Sequence, residues 1–357
     1  MQSKTMTTTH IDINGIRIGP GEPPYFVAEL GICHGGDLEV ALQLARQAAA
    51  AGAPCVKTET FQADRLVGDP ALTTSYVING ETRTELLAEH MSRFQLSFNQ
   101  HHAIKKECDR LGVSFMATAH DAESVEFLKD IGAAAVKAAS PDLIHIPLLR
   151  CMAASGLAVF LDTGSAHLHE IVQAVSTLRG AGAQRIVVNH NPAGHPAAAH
   201  RHDLRQIPRL MQILGVPVGI SDHYEGYDML PAATALGACA LEKPISEDRF
   251  VQEPERNWSI SIADLPEQLQ RIREVYLALQ PMDTLHLTPE QEQYRLRNRM
   301  SLVAAKDLAP GDPIDLQHVD FARPRQGIGV EHWDAVHGRL LRRAKPARSF
   351  IDWSDLE

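Results

Sequence analysis

Eight short apolar runs with polar ends recur along the first two thirds of the chain. Runs of this length, bounded by turn-forming residues, are typical of buried strands. The pattern therefore predicts eight strands, at residues 25–32, 54–61, 113–120, 133–140, 157–164, 184–191, 216–223 and 238–245.

The segments between these runs have the spacing of amphipathic helices. In residues 37–53 and 122–133 apolar residues recur every three or four positions, and Gly lies near the end of each segment. A helix that crosses back over a sheet joins parallel strands. Eight such units over about 250 residues predict a (β/α)8 TIM barrel. A doubly wound open sheet is the alternative, but no GxGxxG motif follows the first run.

The carboxyl end of every predicted strand carries polar or charged residues. In a (β/α)8 barrel these ends converge on one face, where enzymes of this fold have their active sites. Packing alone does not explain such a set, because a buried charge is costly unless it is paired or used. The chain is therefore predicted to be an enzyme. The strand-end residues are Glu29, Lys57, Glu59, Thr118, His120, Lys137, Ser140, Asp162, Thr163, Asn189, His190, Asn191, Ser221, Asp222, His223, Glu242 and Lys243.

Two of these residues, Lys57 and Lys137, indicate an anionic substrate. Serines of the same set would add hydroxyl donors for phosphate or carboxylate oxygens. The alternative, which the sequence leaves open, is that each lysine pairs with a nearby carboxylate, for instance Glu59 or Asp162.

The last quarter of the chain has a different composition. Residues 281–300 are polar and indicate a linker with some helix. From Ser301 onwards, short apolar pieces are broken by Pro and Gly, which is typical of a small β-rich module. The predicted organisation is a barrel at 1–282 that begins with an Asn-Gly β-hairpin, a linker at 283–298 and a β-rich domain at 299–357.

Net charge and cysteine content narrow the classes of protein. A formal charge of −10 argues against nucleic acid or a membrane surface as a partner, because both favour a basic face. Five scattered cysteines without a CxxC pair suit a reducing compartment. The sequence has no signal-peptide pattern and no apolar run long enough to span a membrane, so we expect a cytoplasmic protein.

Motifs at the strand ends and in the C-terminal module occur together in one known family. The motifs are "AELGICHGG" from Ala28, "VKTETF" from Val56, "VKAASPDLIHIPLLR" from Val136, "GISDHYEG" from Gly219 and "ALEKPISEDR" from Ala240. They resemble the sialic acid synthases, of the N-acetylneuraminate synthase or NeuB type. Residues 301–329 resemble the SAF, or antifreeze-like, domain of these enzymes, so that the resemblance covers nearly the whole chain.

The resemblance implies a (β/α)8 barrel followed by a SAF domain, in a domain-swapped homodimer. Members of the family condense phosphoenolpyruvate with an open-chain amino sugar to give a nonulosonic acid and phosphate. A Mn²⁺ or Mg²⁺ ion holds the aldehyde of the sugar, where it acts as a Lewis acid.

The same resemblance assigns roles to residues of this chain. Phosphoenolpyruvate would be held by Lys57, Thr118, Lys137, Ser140, Asn191 and Ser221. Glu29 would shuttle a proton to or from water, and His223 would be a metal ligand. Arg323 would reach the sugar in the partner's barrel through its planar guanidinium.

One departure from the family removes a metal ligand. The second metal-binding histidine of the family falls at Pro244, whose side chain has no donor atom. Glu242 or Asp222 could substitute as oxygen ligands, and His190 or His120 as nitrogen ligands. The divalent ion is therefore a prediction that the sequence leaves open.

Other departures gather in the predicted pocket and alter its charge. Glu59 stands where the family has an amide, Asp162 where it has a serine, and His120 where it has Phe. Two added carboxylates would repel a bound phosphate by about 1 kcal/mol or more each unless a cation compensates them. The further substituted positions are Cys33, Ala193 and Glu255, whereas Ser259 of the sugar-binding segment is kept.

Three functions are compatible with these departures. The first is a phosphoenolpyruvate-dependent condensation with an unusual acceptor, an aldose or amino sugar. The second is a repurposed lyase, that is, an aldolase, decarboxylase or dehydratase acting on a sugar acid without phosphoenolpyruvate or the usual metal. The third is a binding or assembly role without catalysis.

Overall fold

The computed structural model describes residues 9–78, 80–247, 254–281 and 286–357. The predicted linker therefore begins outside the described residues. The chain divides into two compact units, Met1–Gln280 and Pro281–Glu357, and each has a hydrophobic core of its own.

The strands of the first unit form two hairpins and a barrel. In chain order they are β1 (Ile11–Ile13), β2 (Ile16–Ile18), β3 (Tyr25–Glu29), β4 (Cys55–Thr60), β5 (Thr73–Ile78), β6 (Glu81–Leu86), β7 (Ser114–Ala119), β8 (Ala135–Ala138), β9 (Ala158–Asp162), β10 (Ile186–His190), β11 (Val218–Ser221), β12 (Ala240–Ser246) and β13 (Ile260–Ser261).

The helices of the same unit connect and surround these strands. They are α1 (Leu38–Ala51), α2 (Ala63–Leu66), α3 (Leu87–Phe94), α4 (Phe98–Leu111), α5 (Ala122–Asp130), α6 (Ile146–Ser155), α7 (Leu168–Gly180), α8 (Gln206–Leu214), α9 (Met229–Ala235) and α10 (Leu265–Ala278).

Within the described ranges, eight parallel strands close into a barrel. The hydrogen-bonded order is β3, β4, β7, β8, β9, β10, β11 and β12, and the pairing of β12 with β3 completes the circle. Seven of these strands lie inside the predicted runs and β12 extends one residue beyond its run, to Ser246, and a helix follows each strand in sequence. The predicted (β/α)8 barrel is therefore confirmed.

Apolar side chains fill both sides of the barrel wall. Outside the barrel, residues such as Val136 and Leu161 pack against the surrounding helices. Inside it, Met116 and Phe160 share a cluster with isoleucines of the β1–β2 hairpin, including Ile18. The hairpin thus closes one end of the barrel. In the described residues, the strand-end polar side chains lie at the other end.

Local sequence signals explain where the longer helices begin and end. The Asp37 carboxylate caps α1 by accepting from two backbone amides, and Gly52 ends that helix with a positive φ of 96°. Ser97 and Gln100 form a reciprocal capping box at α4, which ends at Gly112. These ends set the positions of the strands that follow.

The second unit is small and rich in irregular β-structure. It contains α11 (Pro289–Asn298), β14 (Ser301–Ala304), β15 (Val319–Ala322) and α12 (Trp333–Val336), and β14 pairs antiparallel with β15. Its core includes Leu302, Ile314, Val319, Ile328, Val336, Leu341 and Ile351. None of the helices in the described parts of the chain is long and apolar enough to cross a membrane.

Close packing of the barrel wall gives a prediction for Gly219 on β11. A methyl group there would collide with the carbonyl oxygen of Ala240 on β12 and would lie 2.7 Å from Oδ1 of Asn189. We expect Gly219→Ala to lower the free energy of unfolding by about 2 kcal/mol or more. Gly180→Ala is the control, because a methyl group at the end of α7 meets no atom within 4 Å. Equal unfolding midpoints in urea for the two variants would contradict this account.

Candidate active site

Two lysines and a glutamate from three barrel strands meet in the interior of the barrel. Glu242 of β12 accepts from Lys137 of β8 and lies 3.2 Å from Nζ of Lys57 on β4. All three side chains are buried, and Lys57 and Glu242 are 0% exposed. Ser221 Oγ also donates to Glu242 Oε1, at 3.2 Å. The prediction that the two lysines point to one place agrees with this geometry.

The electrostatics of this cluster follow from its two cations. Burial favours the neutral acid, but Lys137 and Lys57 outweigh that effect and lower the pKa of Glu242 to about 2. Burial likewise favours neutral amines, and nearby carboxylates nevertheless hold the pKa values of both lysines above the usual range. The cluster therefore carries its charges at neutral pH.

Glu29, at the end of β3, forms an ion pair with Lys57. Burial is the main cause that raises the pKa of Glu29 to about 7, the attraction of Lys57 opposes it, and the repulsion of Glu242 adds to it. A carboxyl group with this pKa can both accept and donate a proton near neutral pH, as a general acid or base must.

Asp162, at the end of β9, is surrounded by donors. Its carboxylate is 2.7 Å from Nζ of Lys137 and accepts from Nδ2 of Asn191 at 2.8 Å and of Asn189 at 3.3 Å. Burial raises its pKa, and Lys137 opposes that shift. The open alternative for Lys137 is thus realised in this structure, because its ammonium pairs with Asp162 as well as with Glu242.

A second buried ion pair lies beside the first. Nζ of Lys243 is 2.7 Å from Oδ2 of Asp222 and donates to the carbonyl oxygen of Tyr224 at 2.6 Å. Nε2 of His202 lies 3.2 Å from the other oxygen of Asp222. These contacts fix the backbone that leads from β11 to His223.

Two imidazoles lie together at the mouth of the barrel. The ring centroids of His195 and His223 are 4.3 Å apart, and Trp258 contacts both rings edge-on. Burial, together with the neighbouring His195 and lysines, holds the pKa of His223 well below its usual value, so its ring is neutral. Nδ1 of His223 is buried and has no hydrogen-bond partner among the described residues.

Four more predicted residues contact Lys57 or groups at the neighbouring strand ends. Lys57 donates to Thr118 Oγ1 at 3.1 Å, and Glu59 lies 3.9 Å from the same ammonium. The amide of Gly164 donates to Ser140 Oγ at 3.0 Å. His120 is paired with Asp142 at 2.6 Å.

Glu255 and Ser259 approach the site from the segment after β12. The backbone amide of Ile32 donates to Glu255 at 2.8 Å, and Ser259 Oγ lies 2.5 Å from Ser246 Oγ. Burial, with the repulsion of Glu29 and Glu59, raises the pKa of Glu255 well above its usual value.

The predicted site residues are divided between the two units. The predicted barrel residues lie at the carboxyl ends of the strands or in the loops beyond them, whereas Arg323 belongs to the second unit. Sequence reasoning missed His195. His195 stands in "NPAGHP", two residues beyond the substituted position Ala193, and the departure of this loop from the family was the available signal.

Most side chains that were predicted as possible ligands of a divalent ion are engaged in other contacts. No group of three or more His, Cys, Asp or Glu side chains in the described residues is arranged to hold an ion. Glu242 and Asp222 are paired with lysines, His120 with Asp142, and Nε2 of His190 with a backbone carbonyl oxygen. His223 and His195 remain as a pair of imidazoles, with ring centroids 4.3 Å apart, and these two side chains would hold a divalent ion.

The fold is a (β/α)8 barrel followed by a SAF domain, and curated relatives of the chain are carbon–carbon bond-forming synthases. The model of the NeuB family matches residues 44–283, and that of the SAF domain matches residues 299–357. The chain therefore belongs to the NeuB family.

Individual relatives agree with this assignment. The N,N'-diacetyllegionaminic acid synthase of Legionella pneumophila is 27% identical over 97% of this chain and 98% of its own length. The spore coat polysaccharide biosynthesis protein SpsE of Bacillus subtilis is 30% identical over 95% of both chains. The crystal structure of the N-acetylneuraminic acid synthetase from Leptospira borgpetersenii superposes with a TM-score of 0.70 at 27% identity, covering 80% of this chain and 96% of that chain.

The pKa of Glu29 predicts how stability depends on pH. A raised pKa in the folded state means that stability is lost as the pH rises from about 4.5 to about 7. Over this interval wild type should lose about 3 kcal/mol relative to Glu29→Gln, which cannot titrate at this position. Urea unfolding of both proteins at several pH values measures the difference. A constant difference across the interval would show that Glu29 is ionised throughout.

Proposed function

We propose that this protein condenses phosphoenolpyruvate with an aldose or amino sugar to give a nonulosonic acid or a similar 2-keto acid. The observation that carries the proposal is the convergence of Lys57 and Lys137, from strands β4 and β8 on either side of β7, on one buried point. Two ammonium groups in a water-poor site suit a substrate with a phosphate and a carboxylate. Two of the three named relatives are called a synthase or synthetase, which favours condensation over the lyase alternative.

The proposed reaction has two bond-forming steps. Carbon 3 of phosphoenolpyruvate attacks the aldehyde carbon of the acceptor, and water adds to the cation that results at carbon 2. Loss of phosphate from carbon 2 then leaves the 2-keto acid. Glu29 accepts a proton from the attacking water, for which its pKa of about 7 is suited.

The residues around the lysines position the donor substrate. Thr118 holds the Lys57 ammonium in place, and Ser221 does the same for Lys137 by contacting it at 3.4 Å. Ser140 and Asn191 add donors at the neighbouring strand ends. Holding both reactants in one orientation contributes to the rate by making the attack effectively unimolecular.

A divalent ion would be held by His223 with His195 in the place of the histidine lost at Pro244. The neutral ring and uncommitted Nδ1 of His223 support this assignment. Such an ion would polarise the acceptor aldehyde.

The acceptor is proposed to differ from that of the family. Glu59, His120 and Glu255 change the charge and shape of the rim where a sugar would bind, whereas Ser259 is kept. A domain-swapped homodimer would bring Arg323 of the partner subunit to this rim.

Lys137→Ala tests the donor site. Phosphoenolpyruvate should raise the thermal unfolding temperature of wild type, because a ligand that binds only the folded state stabilises it. The variant should lose this protection, and wild type should release phosphate from phosphoenolpyruvate only when a sugar acceptor is added. Lys129→Ala, an exposed lysine of α5, is the matched control and should keep both properties. Unchanged protection in Lys137→Ala would remove this lysine from the site.

A second test concerns the ion. Mn²⁺ binding, followed by the loss of the free-ion signal in electron paramagnetic resonance, should weaken at least tenfold in His195→Ala and in His223→Ala. Pro244→His should strengthen binding, because it restores the imidazole that the family has at this position. His200→Ala, in the exposed part of the same loop, is the control. If His195→Ala binds Mn²⁺ like wild type, His195 is not a ligand.

A further inference from the structure

The Asp162 carboxylate already occupies donors that the proposed function assigns to the substrate. Both of its oxygens are used, Oδ2 by Lys137 and Asn191 and Oδ1 by Asn189. The side chain is 3% exposed, so water does not provide alternative partners. An ammonium and two amides around one carboxylate form the kind of donor set that would bind the carboxylate or phosphate of a ligand.

The charges of the barrel interior also show that the lysines are already paired with carboxylates of the protein. Lys57 and Lys137 carry two positive charges, and the carboxylates that pair with them belong to Glu29, Glu59, Glu242 and Asp162. The protein therefore compensates its own ammonium groups, and the lysines offer an incoming anion no uncompensated charge.

Space for an anion exists next to one of these donors, Asn191. A cavity of about 420 Å³ is lined in part by Ser140, Gly164, Asn191 and His195. Asn191 already donates one of its two amide N–H groups to Asp162, at 2.8 Å, and the three N–H groups of Lys137 are directed at Asp162, Glu242 and Ser221, so a ligand gains the full set of donors only in exchange for bonds to Asp162.

We propose that Asp162 is a specificity-determining residue, an internal carboxylate that competes with the anionic group of the substrate for Lys137 and Asn191. Binding of phosphoenolpyruvate is then an exchange in which Asp162 gives up these two donors. Anions bind more weakly than the two lysines alone would allow. The inference rests on the proposed function for the identity of the donor substrate.

The test is anion binding without any acceptor. Inorganic phosphate and phosphoenolpyruvate are titrated separately, by calorimetry, into wild type, Asp162→Ser, Asp162→Asn and Glu59→Gln. Asp162→Ser removes the competing group and its volume, and Asp162→Asn removes its charge alone. Both should bind the two anions at least tenfold more tightly than wild type. Either variant suffices if the other does not fold.

Glu59→Gln is the control for charge alone. It removes one carboxylate near Lys57, 3.9 Å from its ammonium, but leaves Lys137 and Asn191 engaged with Asp162. A gain below threefold is expected. An equal gain in Glu59→Gln and the Asp162 variants would overturn the proposal, because net charge and not donor competition would then control affinity. Unchanged affinity in the Asp162 variants, or no anion binding by any of the proteins, would also overturn it.

The outcome is independent of whether condensation occurs. If the Asp162 variants gain anion affinity but no sugar triggers release of phosphate, the competition stands and the proposed function fails. If wild type releases phosphate with a sugar but the variants gain no affinity, the proposed function stands and the competition fails.

Discussion

The arrangement of this site depends on one buried carboxylate, Glu242, shared by Lys57 and Lys137. Removing two ammonium groups from water is costly, and a carboxylate between them recovers part of that cost only where the geometry is good. The barrel provides this geometry, because strands β4, β8 and β12 direct residues from distant parts of the sequence to one interior point. Loss of Glu242 would leave both lysines without a shared partner, so it holds the site together before any substrate is present.

Much of the fold could be predicted from sequence, because each buried strand of the barrel is visible as a short run of apolar residues. A run such as 157–164 is apolar until Asp162, and the structure places β9 inside this run with the carboxylate at its end. Convergence of the strand ends also follows, since a closed barrel has only two ends. The sequence does not show which strand-end side chains contact each other. Glu242 and Lys137 are 105 residues apart, and no local pattern specifies that they meet.

The contacts of loop residues at the mouth of the barrel were also difficult to predict from sequence. Loops beyond strands carry no periodic signal, so the approach of His195 to His223 depends on the path of the chain between β10 and α8. The same applies to Glu255, whose position next to Ile32 results from the segment that follows β12. The positions of strand residues could therefore be predicted from the strand pattern, whereas the positions of loop residues required the structure.

The loss of an imidazole at Pro244 is compatible with an intact barrel because of the register of β12. The carbonyl oxygen of Glu242 accepts from the amide of Asp222, so in a parallel strand residues 242 and 244 face β11. Since β11 ends at Ser221, the missing N–H of Pro244 removes no hydrogen bond of the ladder. The side of β12 that pairs with β3 is undisturbed. A proline at this one position is thus compatible with the ladder of the barrel and with the lysine cluster two residues away.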